Sequence, residues 1–365
     1  MKVYYLFLML GLLAFSSPVF SQKIHETLPV VPPGGLSPPD PLFDSVVSRG
    51  IELTFNDHYE ESLALFDSLV QIYPDHPAPY FFRAASFQNL MNTYRINIYQ
   101  NQLESNVQAA IETGEKQLKN SNDPWLNFYV GAAYGYRGFN KFRKHNWIGA
   151  YKDGKRGISN FKKALEKDTT MYDVYLGLGS YFYWRTAKSK FIKIIAFWMK
   201  DKRELGLRQL LFAEEHGRYA ANEAAYVLLS ALFDSERYDE AQTVLERLIA
   251  RKEIPANTDL YYQGRLAIQS DNWPVVEESF SQLFSRLKSY PRQSFSYLAE
   301  CRYWQAYARY RQNRISEAAQ LIAEADRLFE KYNPDREMEG LLEKNKDIGK
   351  AIEKLKKAIG ERKAD

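Results

Sequence analysis

Tyr238 to Leu248, YDEAQTVLERL, and Trp273 to Leu283, WPVVEESFSQL, stand 35 positions apart and carry the same marks at the same offsets. An aromatic opens each stretch. Ala241 or Val276 follows three residues on, then Leu245 or Phe280, then Leu248 or Leu283. The pattern recurs in Tyr59 to Leu69, YEESLALFDSL, and in Ile315 to Ala325, ISEAAQLIAEA. In all four cases a further residue stands twelve positions before the second mark: Gly50, Leu229, Gly264 and Ala306. Steps of three and four place side chains on one helical face, so each stretch is an amphipathic helix preceded by another. The steric logic is plain. Small residues on both helices let the backbones approach, the aromatic fills the elbow, and the later apolar residues plug the next pair.

Working outward, two more second helices fit the register at Gly157, Phe161, Ala164 and at Gly206, Leu210, Ala213. The markers at 62, 157, 206, 241, 276 and 318 give intervals of 95, 49, 35, 35 and 42. The first interval therefore hides another repeat, supplied by residues 80 to 120, where Val107, Ile111, Gly114 and Leu118 share a face. The repeats before residue 206 are expanded, through longer helices or inserted segments. After Asn333-Pro334 a last helix with Met338, Leu341, Leu342, Ile348, Ile352, Leu355 and Ile359 is expected as the polar-faced cap of a solenoid end.

These residues resemble the tetratricopeptide repeat family over roughly residues 43 to 333. Its signature of Trp, Leu-Gly, Tyr, Ala, Phe, Ala and Pro is carried by Tyr175, Leu178-Gly179, Phe182, Ala241, Phe280, Ala325 and Pro74, with no single repeat holding the full set. The resemblance implies an all-α fold, a right-handed superhelical α-solenoid of tetratricopeptide-like helix pairs, six or seven in number. It also implies a protein or peptide partner held on the concave face, which the first helices line. Lys200 to Leu210, KDKRELGLRQL, is faintly similar to the inclusion-body-clearance family of repeat proteins over about one repeat, and no function follows from it.

The N-terminus reads as an export signal. Lys2 precedes an apolar run from Val3 to Phe15, and Val19-Phe20-Ser21 forms a small-residue cleavage site. The run is too short to span a bilayer as a helix, and no cysteine near it offers a lipid anchor. The expected organisation is a signal peptide over 1–21, a Pro-rich linker over 22–42, expanded repeats with a basic insert over 43–205, regular repeats over 206–333 and a capping helix over 334–365. The expected location is the periplasm or cell envelope. Leu28 to Pro41, with six prolines and two glycines in fourteen residues, has too few donors for a helix and reads as extended.

Composition excludes several function classes. With 49 basic and 45 acidic residues the chain is no bulk polycation. A single cysteine, Cys301, precludes an intrachain disulfide, a thiolate zinc site and an iron–sulfur cluster. The five histidines, at 25, 58, 76, 145 and 216, form no metal-ligand spacing, and Cys301 reads as a small buried thiol. Gly177-Leu178-Gly179 lies mid-helix and reads as packing, not a phosphate cradle. No enzyme, cofactor, metal or nucleic acid is expected.

Charge is nonetheless segregated: Arg137 to Arg203 holds 17 Lys or Arg against five Asp or Glu. Within it, Arg185 to Arg203 reads RTAKSKFIKIIAFWMKDKR. Three readings stand for this insert: an extra helix folded over the solenoid with its lysines reaching water, a basic amphipathic face on an anionic membrane, or a polyanion site. The contact candidates are Lys188, Lys190, Phe191, Lys193, Ile195, Trp198 and Lys202. The aromatic run Tyr181 to Trp184 cannot all face inward, which makes Tyr181, Tyr183 and Trp184 candidate groove residues for a peptide or a sugar ring. The expected function is thus a non-enzymatic exported scaffold for a protein or peptide, with a peripheral membrane adaptor and a glycan-binding repeat protein as the alternatives.

Overall fold

The computed structural model describes Leu28 and residues 35–187, 201–340 and 342–364. The apolar leader and Lys188 to Lys200 lie outside the described residues, so export and the insert's placement stay expectations. Among the described residues fifteen α-helices follow one another as antiparallel pairs. The pairs are α1 (Pro41–Phe55) with α2 (Tyr59–Ile72), α3 (Pro77–Tyr94) with α4 (Gln100–Gln117), α5 (Pro124–Arg143) with α6 (Trp147–Lys167), and α7 (Val174–Ala187) with α8 (Arg203–His216). Next in the chain come α9 (Ala221–Asp234) and α10 (Tyr238–Ala250), then the pairs α11 (Asn257–Gln269) with α12 (Trp273–Ser289) and α13 (Phe295–Arg311) with α14 (Ile315–Phe329), closed by α15 (Asn345–Ala364). No strand occurs among the described residues, where Ile96 and Glu337 form an isolated antiparallel bridge. The fold is all-α and built from tetratricopeptide-like helix pairs.

Every spacing marker falls on the second helix of a pair. Ser62, Ala241, Val276 and Ala318 are fully buried in α2, α10, α12 and α14. The close approach inferred from small residues is real. Ser62 Oγ on α2 donates to the Gly50 carbonyl on α1 at 3.0 Å. A Cβ built on Gly264 of α11 would stand 2.6 Å from the Phe280 ring of α12. Helix length accounts for part of the expansion: α5 has 20 residues and α6 has 21, against 13 in α10. Gly157 accordingly meets Gly131, one end of a long glycine seam that continues at Gly138 against Ala150.

A turn signal was not read from the sequence. Asp57, His145, Glu236, Asp271 and Asn313 have φ between 53° and 63°, each two residues before a second helix. One residue in the left-handed region reverses the chain within each of these pairs.

The described residues form two compact units, one of residues 35–87 and 101–232, the other of 88–100 and 233–364. In the first unit the chain just before α1 is tethered: the Leu36 amide donates to the Thr170 carbonyl at 3.1 Å, and Asp40 caps α1. In the second unit the closing helix starts at Asn345, later than the sequence suggests. Residues 334 to 340 and 342 to 344 are not helical, and several of their groups are engaged elsewhere. The Asn97 amide donates to the Arg336 carbonyl at 2.8 Å and the Met338 amide to the Arg95 carbonyl at 2.9 Å. The Glu337 carboxylate accepts from Ser294 Oγ, the Ser296 amide and Ser296 Oγ at 2.7–2.8 Å, capping the start of α13. Met338 and Leu342 are buried in this extended path, and Ile348, Ile352, Leu355 and Ile359 form the buried face of α15.

Candidate interaction surfaces

In the second unit the first helices carry a buried ionic network. Tyr261 and Arg265 lie one turn apart on α11, and Tyr297, Glu300, Cys301 and Trp304 line the facing side of α13. Glu300 is fully buried, pairs with Arg95, accepts from Tyr261 Oη at 3.0 Å and lies 3.6 Å from Arg265 Nη1. Arg265 Nη2 donates to Glu343 Oε1 at 2.9 Å, so two guanidiniums meet two carboxylates. The Arg95 guanidinium stacks 3.5 Å from the Tyr297 ring centre, and Arg265 lies 4.8 Å over Trp304. Burial lowers the pKa of Arg265, but Tyr261, Glu343 and Glu300 outweigh it and hold the group charged. Burial, with Glu300 beside it, pushes the Cys301 thiol far up, which leaves it an inert core group.

The first unit fills its first-helix side in the same way. Tyr219 packs edge-on to Phe82 at 5.2 Å, lies 5.0 Å from Trp125 and donates to Asp44 Oδ1 at 2.7 Å. Arg218 forms a second bond to Asp44 at 2.7 Å, from Nε. Burial pushes the Asp44 carboxyl up, but hydrogen bonds from Arg218 and Tyr219 and the Arg218 charge win and hold it below the usual carboxylate range. Asp173 accepts from the backbone amides of residues 218, 219 and 220 at 3.1, 2.6 and 2.8 Å and so caps the approach to α9. None of Arg95, Arg265, Glu300, Asp44 or Asp173 was singled out from the sequence. A lone charge inside an apolar helix face, such as Glu300 between Ala299 and Cys301, was the available signal.

The candidate groove aromatics need a correction. Tyr183 and Trp184 are 0% and 1% exposed, and Phe182 is also buried, because α7 is covered on several sides. Tyr183 Oη donates to the Ala231 carbonyl on α9 at 2.6 Å, so its polar end is used internally. Tyr181 alone of the three is half-buried. Among the contact candidates of the insert, Lys188, Lys190, Phe191, Lys193, Ile195 and Trp198 lie outside the described residues, while Lys202 sits at the N-cap of α8 with Nζ 5.2 Å over the Phe182 ring.

The described share of the positive charge gathers on α6. Asp153 is buried and held by Arg137 Nε and Nη2, each at 2.9 Å, and by Lys141 at 2.6 Å. Burial raises the Asp153 carboxyl, yet these cations outweigh it and keep it ionised. On the outward side Lys152, Lys155, Arg156 and Lys163 are exposed. At the start of the helix Trp147 and Ile148 are 45% and 71% exposed, with Trp147 edge-on to Phe142 at 4.8 Å. Among the described residues no three of His, Cys, Asp or Glu stand where they could share a metal ion, and no helix is long and apolar enough to cross a membrane.

The architecture defines a helical-repeat protein of the tetratricopeptide type. No family model and no curated protein matches the chain. Among solved structures it is similar to the C-terminal part of a TPR repeat-containing protein from Cytophaga hutchinsonii, at 15% identity and a TM-score of 0.40, covering 79% of this chain and 97% of that one. It is also similar to a tetratricopeptide repeat protein from Parabacteroides merdae, at 11% identity and a TM-score of 0.35, covering 87% and 98%. Yeast Tom70 matches at 13% identity and a TM-score of 0.33, covering 89% and 90%.

Proposed function

We propose that this chain is an exported, non-enzymatic scaffold that holds a protein or peptide partner in the periplasm or elsewhere in the cell envelope. The observation that carries the reading is where the polar groups go. Within each unit the carboxylates of first helices are bound to arginines of their own or neighbouring segments, Glu300 to Arg95 and Arg265 in one and Asp44 to Arg218 in the other. Groups engaged in this way hold helices in register and are not free for proton transfer or nucleophilic attack. Binding to a partner then falls to the outer surface and to the half-buried Tyr181, the one groove candidate that is not fully buried.

The test is crosslinking in the cell with a photoreactive residue at Tyr181 and, as a control, at exposed Ser68 on α2, followed by fractionation and mass spectrometry. A small defined set of envelope proteins captured from Tyr181 and absent from Ser68 supports the scaffold. Identical captures from both positions, or chaperones alone, remove it.

A further inference from the structure

We infer that the outward face of α6, tipped by Trp147 and Ile148, docks on an anionic phospholipid bilayer, a role separate from the protein binding proposed above. Positions 148, 152, 155, 159 and 163 recur at helical spacing and share one side of α6. From Ile148 to Lys163 the row extends about 22 Å at the α-helical rise. Its lysine charge is uncompensated among the described residues, while Arg156 has the Glu115 carboxylate near it through the shared Tyr134 hydroxyl. Lys152, Lys155, Lys162 and Lys163 make no ion pair among the described residues, and Arg156 donates to the neutral Tyr134 hydroxyl at 3.2 Å. The acid that shares these turns, Asp153, is buried on the opposite side, and Glu166 comes only at the far end.

An apolar pair at one end of a cation row selects among anionic partners. A nucleic acid would gain most from rings spaced along the row for base stacking, but positions 152, 155, 159 and 163 are Lys, Lys, Ser and Lys. A bilayer offers both things this surface presents for: a plane of phosphates for the ammonium groups, and beneath it an apolar boundary that accepts an indole and an aliphatic side chain. Among the described residues Ile148 is, with Leu42, the most exposed large apolar side chain, and it stands beside the lysines rather than apart from them.

The full chain is mixed with vesicles of phosphatidylcholine alone and of phosphatidylcholine with phosphatidylglycerol, and bound protein is measured by sedimentation. Binding is expected to the phosphatidylglycerol vesicles and to fall with salt. The triple change Lys152→Glu, Lys155→Glu, Lys163→Glu should weaken it by at least about tenfold. Trp147→Ser with Ile148→Ser should abolish the part that survives high salt. The three lysines and Ile148 are exposed and Trp147 packs only its ring edge on Phe142, so circular dichroism should be unchanged and each variant should still unfold cooperatively; the Gln triple serves if the Glu triple does not fold, and Ile148→Ser alone serves if the Ser pair does not. Equal binding to both vesicle types, or wild-type binding by a folded charge variant, overturns the inference. So does a chain that ignores vesicles but is retained by an acidic peptide or by DNA through these lysines.

Discussion

At the residue scale the network around Glu300 is the point where one atom group matters most. Removing a carboxylate that is fully buried between two guanidiniums leaves uncompensated charge inside the second unit. Glu300→Ala is expected to cost ~3–5 kcal/mol in urea unfolding, well above the ~1 kcal/mol of an average point mutation. A change under 1 kcal/mol, on the order of an exposed pair, would mean water reaches the site. His76 offers a second handle, through pH. It lies 5.0 Å from the Phe43 ring and 5.8 Å from Tyr129, and its Nδ1 accepts the Ala78 amide at 3.2 Å. Burial lowers its pKa from 6.5 to about 4. The unfolded chain therefore takes up a proton first, and the stability contributed by neutral His76 is complete above pH 6.5 and lost as the pH falls through 4. The loss is roughly 3 kcal/mol at most. His76→Asn keeps an acceptor for the Ala78 amide and removes the titration, so its stability should vary less between pH 6.5 and 4 than that of the wild type.

At the scale of elements, glycine has opposite meanings in two helices. A Cβ on Gly206 of α8 would stand 2.7 Å from both the Gly179 carbonyl oxygen and the Tyr183 amide nitrogen of α7, which only separation of the helices can relieve. A Cβ on Gly360 of α15 meets nothing within 4 Å. Gly206→Ala should lower stability by ~1–3 kcal/mol, whereas Gly360→Ala should raise it by ~0.5–1 kcal/mol. Thermal unfolding of the two variants measures both signs. The same contrast explains what the sequence discloses. The second helices were legible because close backbone approach demands small residues at fixed offsets, and that demand is local. The length of α5 and α6 was legible only as excess spacing, because Gly157 meets Gly131 rather than the residue twelve before it. The stretch from Pro334 to Gly340 was read as helix because Met338, Leu341 and Leu342 have helical spacing, while the carbonyls and hydroxyls that hold residues 336 to 338 come from distant residues.

At the scale of the whole molecule, distance along the chain is what hid the candidate sites. Arg95 and Glu300 are 205 positions apart, and Arg218 and Asp44 are 174 apart, so no window of sequence contains both partners. Charge segregation, by contrast, is visible in composition, and it pointed to the region of α6, though the aromatic-rich insert drew the residue choices. The long-range contacts also make the C-terminal segment more than an appendage. Residues 333 to 344 give α13 its cap through Glu337, give Arg95 a backbone partner at Met338 and give Arg265 a carboxylate at Glu343. Ending the chain at Lys331 should therefore speed amide exchange in α11, in α13 and over residues 88–97, while α5 and α6, in the other unit, keep their protection. Exchange followed by mass spectrometry reads each stretch separately. Full protection of α13 in the shortened chain would show that the first helices are held by their own pair contacts, and that Glu337 and Glu343 only decorate a surface already formed.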